Sequence, residues 1–248
     1  IMANIKDPVG FFEDNILINT NVVKYAHEYN CNRLVGVLST CIYPDKLSDG
    51  SYPLKEERLH DGPPTATNFS YGYAKRCLAV QIECYRNQYG RAYSSLIPCN
   101  LYSEHEHYDS DRSHFLGSLI RKIAQAKLDG KSSIELYGTG APLRQFMHAE
   151  DFAKAIIKYV ESNHTCDVNV ATPEVYSIKQ IAELGLDACG AGEFNIHWDS
   201  RKPDGQYRKD VSDEKFRALF PDFKYIPLRD GILRTFNNYL YEMESKRV

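Results

Sequence analysis

Leu34-Val35-Gly36-Val37-Leu38-Ser39-Thr40-Cys41 is the stretch on which the fold turns. A short unbroken apolar run such as Leu34 to Leu38 suits a strand covered on both faces, as strands of parallel sheets are. Upstream, from about Pro8 to Asn30, Phe12, Ile16, Asn19, Val23 and Ala26 recur at helical spacing. Downstream, residues 45–68 are rich in turn formers, with Pro53, Pro63 and Pro64 after Pro44. A second helix is predicted from about Tyr71 to Gln88, with Leu78, Ile82, Tyr85 and Tyr89 on one stripe. Ala92 to Ile97 reads as the next strand. Helix, strand, helix, strand is the rhythm of an α/β fold with a doubly wound parallel sheet.

Further on, Leu116, Leu119, Ile120 and Ile123 predict a helix that ends near Gly130. Strands are expected at Ile134–Tyr137 and Val168–Val170, with a helix from Asp151 to Val160 between them. Ser177 and Gln180 have capping-box spacing for a helix reaching Leu186, and an amphipathic helix is expected from Leu228 to Tyr241. The opening Ile1-Met2-Ala3-Asn4 has no preceding strand, so the sequence reads as beginning mid-domain.

Composition narrows the function. A net charge of -3 and a pI near 6.3 offer no basic field for nucleic acid. Seven cysteines without a Cys-x-x-Cys pair argue against a disulfide framework or a zinc site, and for a reducing, cytoplasmic setting. No apolar run approaches the roughly 18 residues of a membrane span. The alternation Glu104-His105-Glu106-His107 lacks further ligands nearby, so no metal is expected.

Chemistry concentrates beyond the two predicted strands. Tyr71 and Lys75 lie four apart, one turn apart on one helix face. A phenol titrates near pH 10, and a neighbouring ammonium would lower that value and make proton exchange with a carbonyl oxygen practical. Tyr-x-x-x-Lys also arises by chance, but here it continues the stripe of Leu78, Ile82 and Tyr85, where an idle lysine is unusual. Ser39 follows the strand at its carboxyl end, where open α/β sheets bind ligands, and Cys41 offers a thiol beside it. Taken singly, Ser39 reads as a strand end and Cys41 as a small buried hydrophobe.

Ser39, Tyr71 and Lys75, in this order across strand and helix, resemble the catalytic set of the extended short-chain dehydrogenase/reductase superfamily. The resemblance sharpens to its GDP-L-fucose synthase family. It rests on residues 39–46, 68–75 and 98–102, Ser113-His114, Gly138-Thr139-Gly140 with Arg144-Gln145-Phe146, and Lys202-Pro203-Asp204-Gly205. These blocks run colinearly over nearly the whole chain. The resemblance implies a Rossmann-type sheet with a smaller α/β substrate domain. It implies NADPH-dependent inversion of C3 and C5 of GDP-4-keto-6-deoxymannose, followed by reduction at C4. Cys41 and His114 match the acid–base pair, Tyr71 the proton donor, Lys75 the ribose-binding lysine and Ser39 the polarising serine. Val37, Leu38, Ser39, Thr40, Lys75, Pro98, Cys99, Asn100, Leu101 and His114 match cofactor contacts. Lys122, Tyr137, Arg144 and Asp204 match positions that hold the GDP-sugar. A homodimer through the helices near 12–29 and 72–89 is implied as well.

The chemistry agrees with this assignment. C3 and C5 both flank the C4 ketone, so inversion needs two groups with accessible pKa values, such as a thiol and an imidazole. The expected domains are 1–100 plus about 144–175 for NADP, and about 101–143 plus 176–248 for substrate. The family's first strand and glycine-rich loop are not in this sequence, so weak NADPH binding is expected of it. Ser103-Glu104 replaces the family's Gly-Pro, and Tyr137 stands where a tryptophan is common. Two rivals stay open here. A nucleotide-sugar 4-epimerase or 4,6-dehydratase would share Tyr71 and Lys75 without calling for Cys41 and His114. A binding module or pseudoenzyme would lack the glycine loop altogether.

Overall fold

The computed structural model describes residues 2–47, 49–108, 113–202 and 204–245. Helices α1 (Met2–Lys6) and α2 (Pro8–Glu28) precede strand β1 (Arg33–Val37), helix α3 (Phe69–Tyr89) and strand β2 (Ala92–Pro98). Then come β3 (Asn100–Tyr102), α4 (Phe115–Leu128), β4 (Ser133–Tyr137), β5 (Leu143–Arg144), β6 (Phe146–His148) and α5 (Ala149–Glu161). The chain continues through β7 (Val168–Val170), β8 (Tyr176–Ser177), α6 (Ile178–Ala188), β9 (Asn195–Asp199), α7 (Glu214–Leu219) and α8 (Leu228–Ser245).

Two compact units result. The first comprises Ile1–Cys99, Phe152–Pro173 and Asp210–Phe223. Its sheet has the order β1-β2-β7, all parallel, with Arg33 opposite Ala92 and Leu96 opposite Val168. Helix α2 begins cleanly because Asp7 accepts the Gly10 N–H at 3.0 Å and Pro8 occupies the first turn. Helix α3 ends at Gly90, whose φ of 64° is left-handed. Leu78 and Ile82 of α3 are buried, as their stripe predicts, in a core with Leu96, Val168 and Leu38. One expectation is corrected. Strand β1 is not covered on both faces: Arg33, Leu34 and Val35 are half-buried and Val37 is 38% exposed. The cause is position, since β1 forms an edge of the described sheet while central β2 is buried almost throughout.

The second unit comprises Asn100–Asp151, Glu174–Lys209 and Lys224–Val248. The first unit therefore resumes at Phe152, later than position 144, and it also takes residues 210–223. The reason is pairing: β6 lies parallel to β3, and Arg144 of β5 pairs with Tyr176 of β8, which holds 143–148 within the second unit. Strand β4 pairs in parallel with β9, from Ser133 opposite Asn195 to Tyr137 opposite Asp199. Leu116, Leu119, Ile120 and Ile123 of α4 are fully buried against Ile181 of α6 and Ile232 of α8. The Ser177 capping box forms both bonds, Gln180 N–H to Ser177 Oγ at 3.1 Å and Ser177 N–H to Gln180 Oε1 at 2.8 Å.

Candidate active site

The carboxyl end of β1 delivers Ser39 in extended conformation, and its Oγ accepts the Cys41 backbone N–H at 3.3 Å. This bond caps a single 3-10 turn, Thr40–Ile42, that carries Cys41. Helix α3 grips the turn from its other side. Buried Arg76 donates Nε to the Ile42 carbonyl. A Cβ on Gly72 would lie 2.8 Å from the Cys41 carbonyl oxygen and 2.9 Å from Pro64 Cβ, so glycine is what permits the helix to approach. The Asn68 amide Nδ2 lies 3.5 Å from Cys41 Sγ.

Tyr71 and Lys75, in the first two turns of α3, are half-buried. Burial raises the Tyr71 phenol above its ordinary value and negative charge on Cys41 adds to that, while a hydrogen bond shared with Ser39 opposes them. The Lys75 ammonium sits 5.9 Å from the centroid of the Tyr71 ring and donates to the Val37 carbonyl at 3.1 Å. Burial lowers its pKa. The expected depression of the phenol by Lys75 does not appear in this arrangement: burial is the largest cause at both groups, and each is pushed towards its neutral form.

The predicted cofactor contacts of the first unit gather at the same strand ends. Thr40 is buried in the turn, and Leu38 is buried with its N–H on the Leu96 carbonyl at 2.9 Å. Pro98 ends β2, and the Cys99 N–H bonds the Val170 carbonyl at 3.0 Å. Burial pushes the Cys99 thiol up to about 12, which keeps it protonated in the neutral range. An exposed Val37 side chain next to the Lys75 ammonium gives an apolar wall beside a strong donor. That donor set fits a nicotinamide ring and its ribose. In the second unit Asn100 donates Nδ2 to the Gln145 carbonyl at 2.9 Å, and Leu101 is half-buried in β3.

The second unit also holds the remaining predicted residues. His114 is exposed at the N-cap position of α4. Glu106, which the sequence did not single out, packs near it: burial raises its carboxyl, and His114 opposes that rise. Tyr137 is 61% exposed, with Lys122 Nζ at 4.8 Å and Lys202 Nζ at 5.4 Å from its ring centroid. The Arg144 fork donates to the Leu143 carbonyl at 2.7 Å and the Gln206 carbonyl at 2.6 Å. Asp204 accepts the Thr139 N–H at 2.6 Å and the Thr139 hydroxyl at 2.7 Å, which fastens it to the turn at Gly138. Its neighbour Pro203 lies outside the described residues. Glu104, the departure from the family pattern, pairs with buried His148 at 3.0 Å and with Arg234 at 2.9 Å. Burial pulls the Glu104 carboxyl upward, but its own backbone N–H, His148 and Arg234 together hold it below the usual value. Among the described residues, no group of three or more His, Cys, Asp or Glu is placed to hold a metal ion, and no helix is long and apolar enough to cross a membrane.

Known proteins resemble this chain over most of its length. Residues 1–173 match the NAD dependent epimerase/dehydratase family. The probable GDP-L-fucose synthase of Drosophila melanogaster is 34% identical over 255 residues, covering 100% of this chain and 78% of that protein. The GDP-L-colitose synthase of Yersinia pseudotuberculosis is 32% identical, covering 99% of this chain and 79% of its own length. A crystal structure of GDP-L-fucose synthetase from Naegleria fowleri bound to NADP superposes with a TM-score of 0.86 at 32% identity, covering 95% of this chain and 74% of that one. This chain belongs to the NAD dependent epimerase/dehydratase family, with a Rossmann-type α/β fold, and within it to the GDP-L-fucose synthases.

Proposed function

We propose that this protein converts GDP-4-keto-6-deoxy-D-mannose and NADPH to GDP-L-fucose, inverting C3 and C5 before reducing C4. One observation carries the reading: the Cys41 thiol sits on the turn that Ser39 caps, and Ser39 shares a hydrogen bond with Tyr71. A dehydrogenase that only moves hydride needs the Ser39–Tyr71–Lys75 set alone. An acid–base thiol at the same strand end suits proton removal α to a ketone.

In this reading Cys41 and His114 serve as the acid–base pair. One takes the C3 or C5 proton while the electron pair passes into the C4 carbonyl as an enolate, and the other returns a proton to the opposite face. Ser39 polarises the C4 oxygen, and Tyr71 gives that oxygen its proton when C4 is reduced. Bound NADPH supplies the hydride. Lys75, residues 37–40 and 98–101, and His114 would hold NADPH. Lys122, Tyr137, Arg144 and Asp204 hold the GDP-sugar. Arg144 and Asp204 act in part by fastening residues 204–207, since both are engaged with that stretch or the turn at Thr139. The first unit is the NADP-binding domain and the second the substrate domain. The same reading takes the protein to be a cytoplasmic homodimer, in keeping with seven cysteines that are not paired as disulfides.

The test is incubation with GDP-4-keto-6-deoxymannose and NADPH, following nicotinamide absorbance and identifying the sugar formed. Oxidation of NADPH with GDP-L-fucose as product is expected. A product inverted at neither C3 nor C5 would remove the epimerase half of the assignment, and a product other than a GDP-6-deoxyhexose would remove the substrate.

A further inference from the structure

Asn68 occupies the N-cap position of α3, where an asparagine side chain ordinarily accepts a backbone N–H two or three residues on. Here no side-chain cap bond forms, and Nδ2 points instead at Cys41 Sγ, 3.5 Å away. The helix forgoes a stabilising cap, and the cysteine gains a donor. The rest of the turn is fixed independently, by Ser39 Oγ on the Cys41 N–H, by Arg76 on the Ile42 carbonyl and by the close approach of Gly72. That leaves the sulfur as the part of the turn that Asn68 addresses. An N–H donated to sulfur favours thiolate over thiol, and the adjacent N-terminus of a 21-residue helix adds positive potential in the same direction.

We infer that Asn68 is a positioning residue for Cys41, whose amide orients the sulfur and stabilises the thiolate that removes a proton from the keto sugar. The inference rests on the acid–base role proposed above for Cys41. In the step it serves, the sugar C–H bond breaks and an S–H bond forms. The electron pair is delocalised onto the C4 oxygen, and the Asn68 N–H stays on its nitrogen throughout. Negative charge on Cys41 also favours the protonated form of the Tyr71 phenol.

The experiment compares the intact protein with N68A, N68D and C41S. Peptide-resolved iodoacetamide labelling of Cys41 is followed from about pH 6 to pH 10, with exposed Cys31 as an internal control. Deuterium incorporation from solvent at C3 and C5 of GDP-4-keto-6-deoxymannose is measured in parallel. N68A is expected to move the Cys41 labelling midpoint to higher pH and to slow exchange about tenfold. The nearly isosteric N68D should move it further, because a carboxylate opposes the thiolate, and Cys31 should label as before in both. Unchanged Cys41 labelling in N68A and N68D, with exchange lost in C41S, would overturn the role of Asn68 and leave that of Cys41 standing. Slower exchange with an unmoved labelling profile would likewise overturn it, as a purely structural effect. Full exchange in C41S would remove the Cys41 reading, and this inference with it.

Discussion

Tyr71 and Lys75 respond in opposite senses to the same cause. Burial penalises charge, so the phenol's pKa rises and the ammonium's falls. A raised phenol stays protonated throughout the neutral range, as a proton donor to a C4 oxygen must. The reductive step should therefore show no loss attributable to Tyr71 ionisation below about pH 10. Tyr71→Phe should slow NADPH oxidation by about a hundredfold or more while deuterium exchange at C3 and C5 persists. Single-turnover absorbance on the variant checks this, and wild-type reduction rates in Y71F would exclude the phenol as donor. At this scale the sequence was legible wherever chemistry fixes order along the chain: Ser39 and Cys41 after a strand, then Tyr71 and Lys75 on one helix face. Asn68 was not, because an asparagine ahead of a helix reads as a cap. Glu106 was hidden by its flanking histidines, since nothing in an alternating loop says which residue turns towards His114.

At the scale of elements, periodicity found what periodicity can find. Helices α2 to α5 and α8 and strands β1, β2 and β4 follow from apolar runs and spacing, α6 from its capping box, and β7 from a short Val-x-Val stretch, all within a few residues of their observed ends. The two- and three-residue strands β3, β5, β6 and β8 are too short to show a period, and they exist because a neighbouring strand pairs with them. β9, Asn195–Asp199, offers no apolar run and none of its residues is fully buried, so only its pairing with β4 along its whole length reveals it. The contact of α3 with the Cys41 turn was equally invisible, yet it sets a sharp requirement. Gly72→Ala would gain about 1 kcal/mol in helix propensity. That gain is opposed by a Cβ placed 2.8 Å from a backbone oxygen, and neither α3 nor the capped turn can yield as a flexible side chain would. We expect the clash to win. G72A should lower C3 and C5 exchange at least about tenfold by shifting the turn, with net destabilisation of about 1–3 kcal/mol in urea unfolding. A variant as active and as stable as the parent would mean that the helix and turn accommodate the methyl.

Assembly is a property of the whole molecule, and the stripe that predicted α2 does not reveal it. Of the positions on which that helix was recognised, Val23 is fully buried and Ile16, Asn19 and Ala26 are half-buried, while Phe12 is 39% exposed. Leu17, Ile18 and Val22 on the same helix are each more than half exposed, and Tyr25 and, on α3, Val80 are exposed as well. Ile18, Val22 and Tyr25 follow one another at spacings of four and three, so they share a face. Apolar side chains gathered on one face, rather than scattered singly, mark an association surface. The expected homodimer through α2 and α3 gives that surface a self-complementary occupant, as a two-fold interface requires. Val22→Glu would place a charge in the middle of it, where a second copy offers no water to solvate the carboxylate. Sedimentation velocity at micromolar concentration should show a dimer for the parent protein and a shift towards monomer for V22E. The turn at Ser39–Cys41 should be unaffected, because residue 22 lies on an exposed face of α2 and not among the groups that hold that turn. V22E should therefore retain Cys41 labelling while losing association. A parent that sediments as a monomer, or a V22E variant as dimeric as its parent, would remove α2 as the assembly face and leave its exposed apolar residues to some other partner.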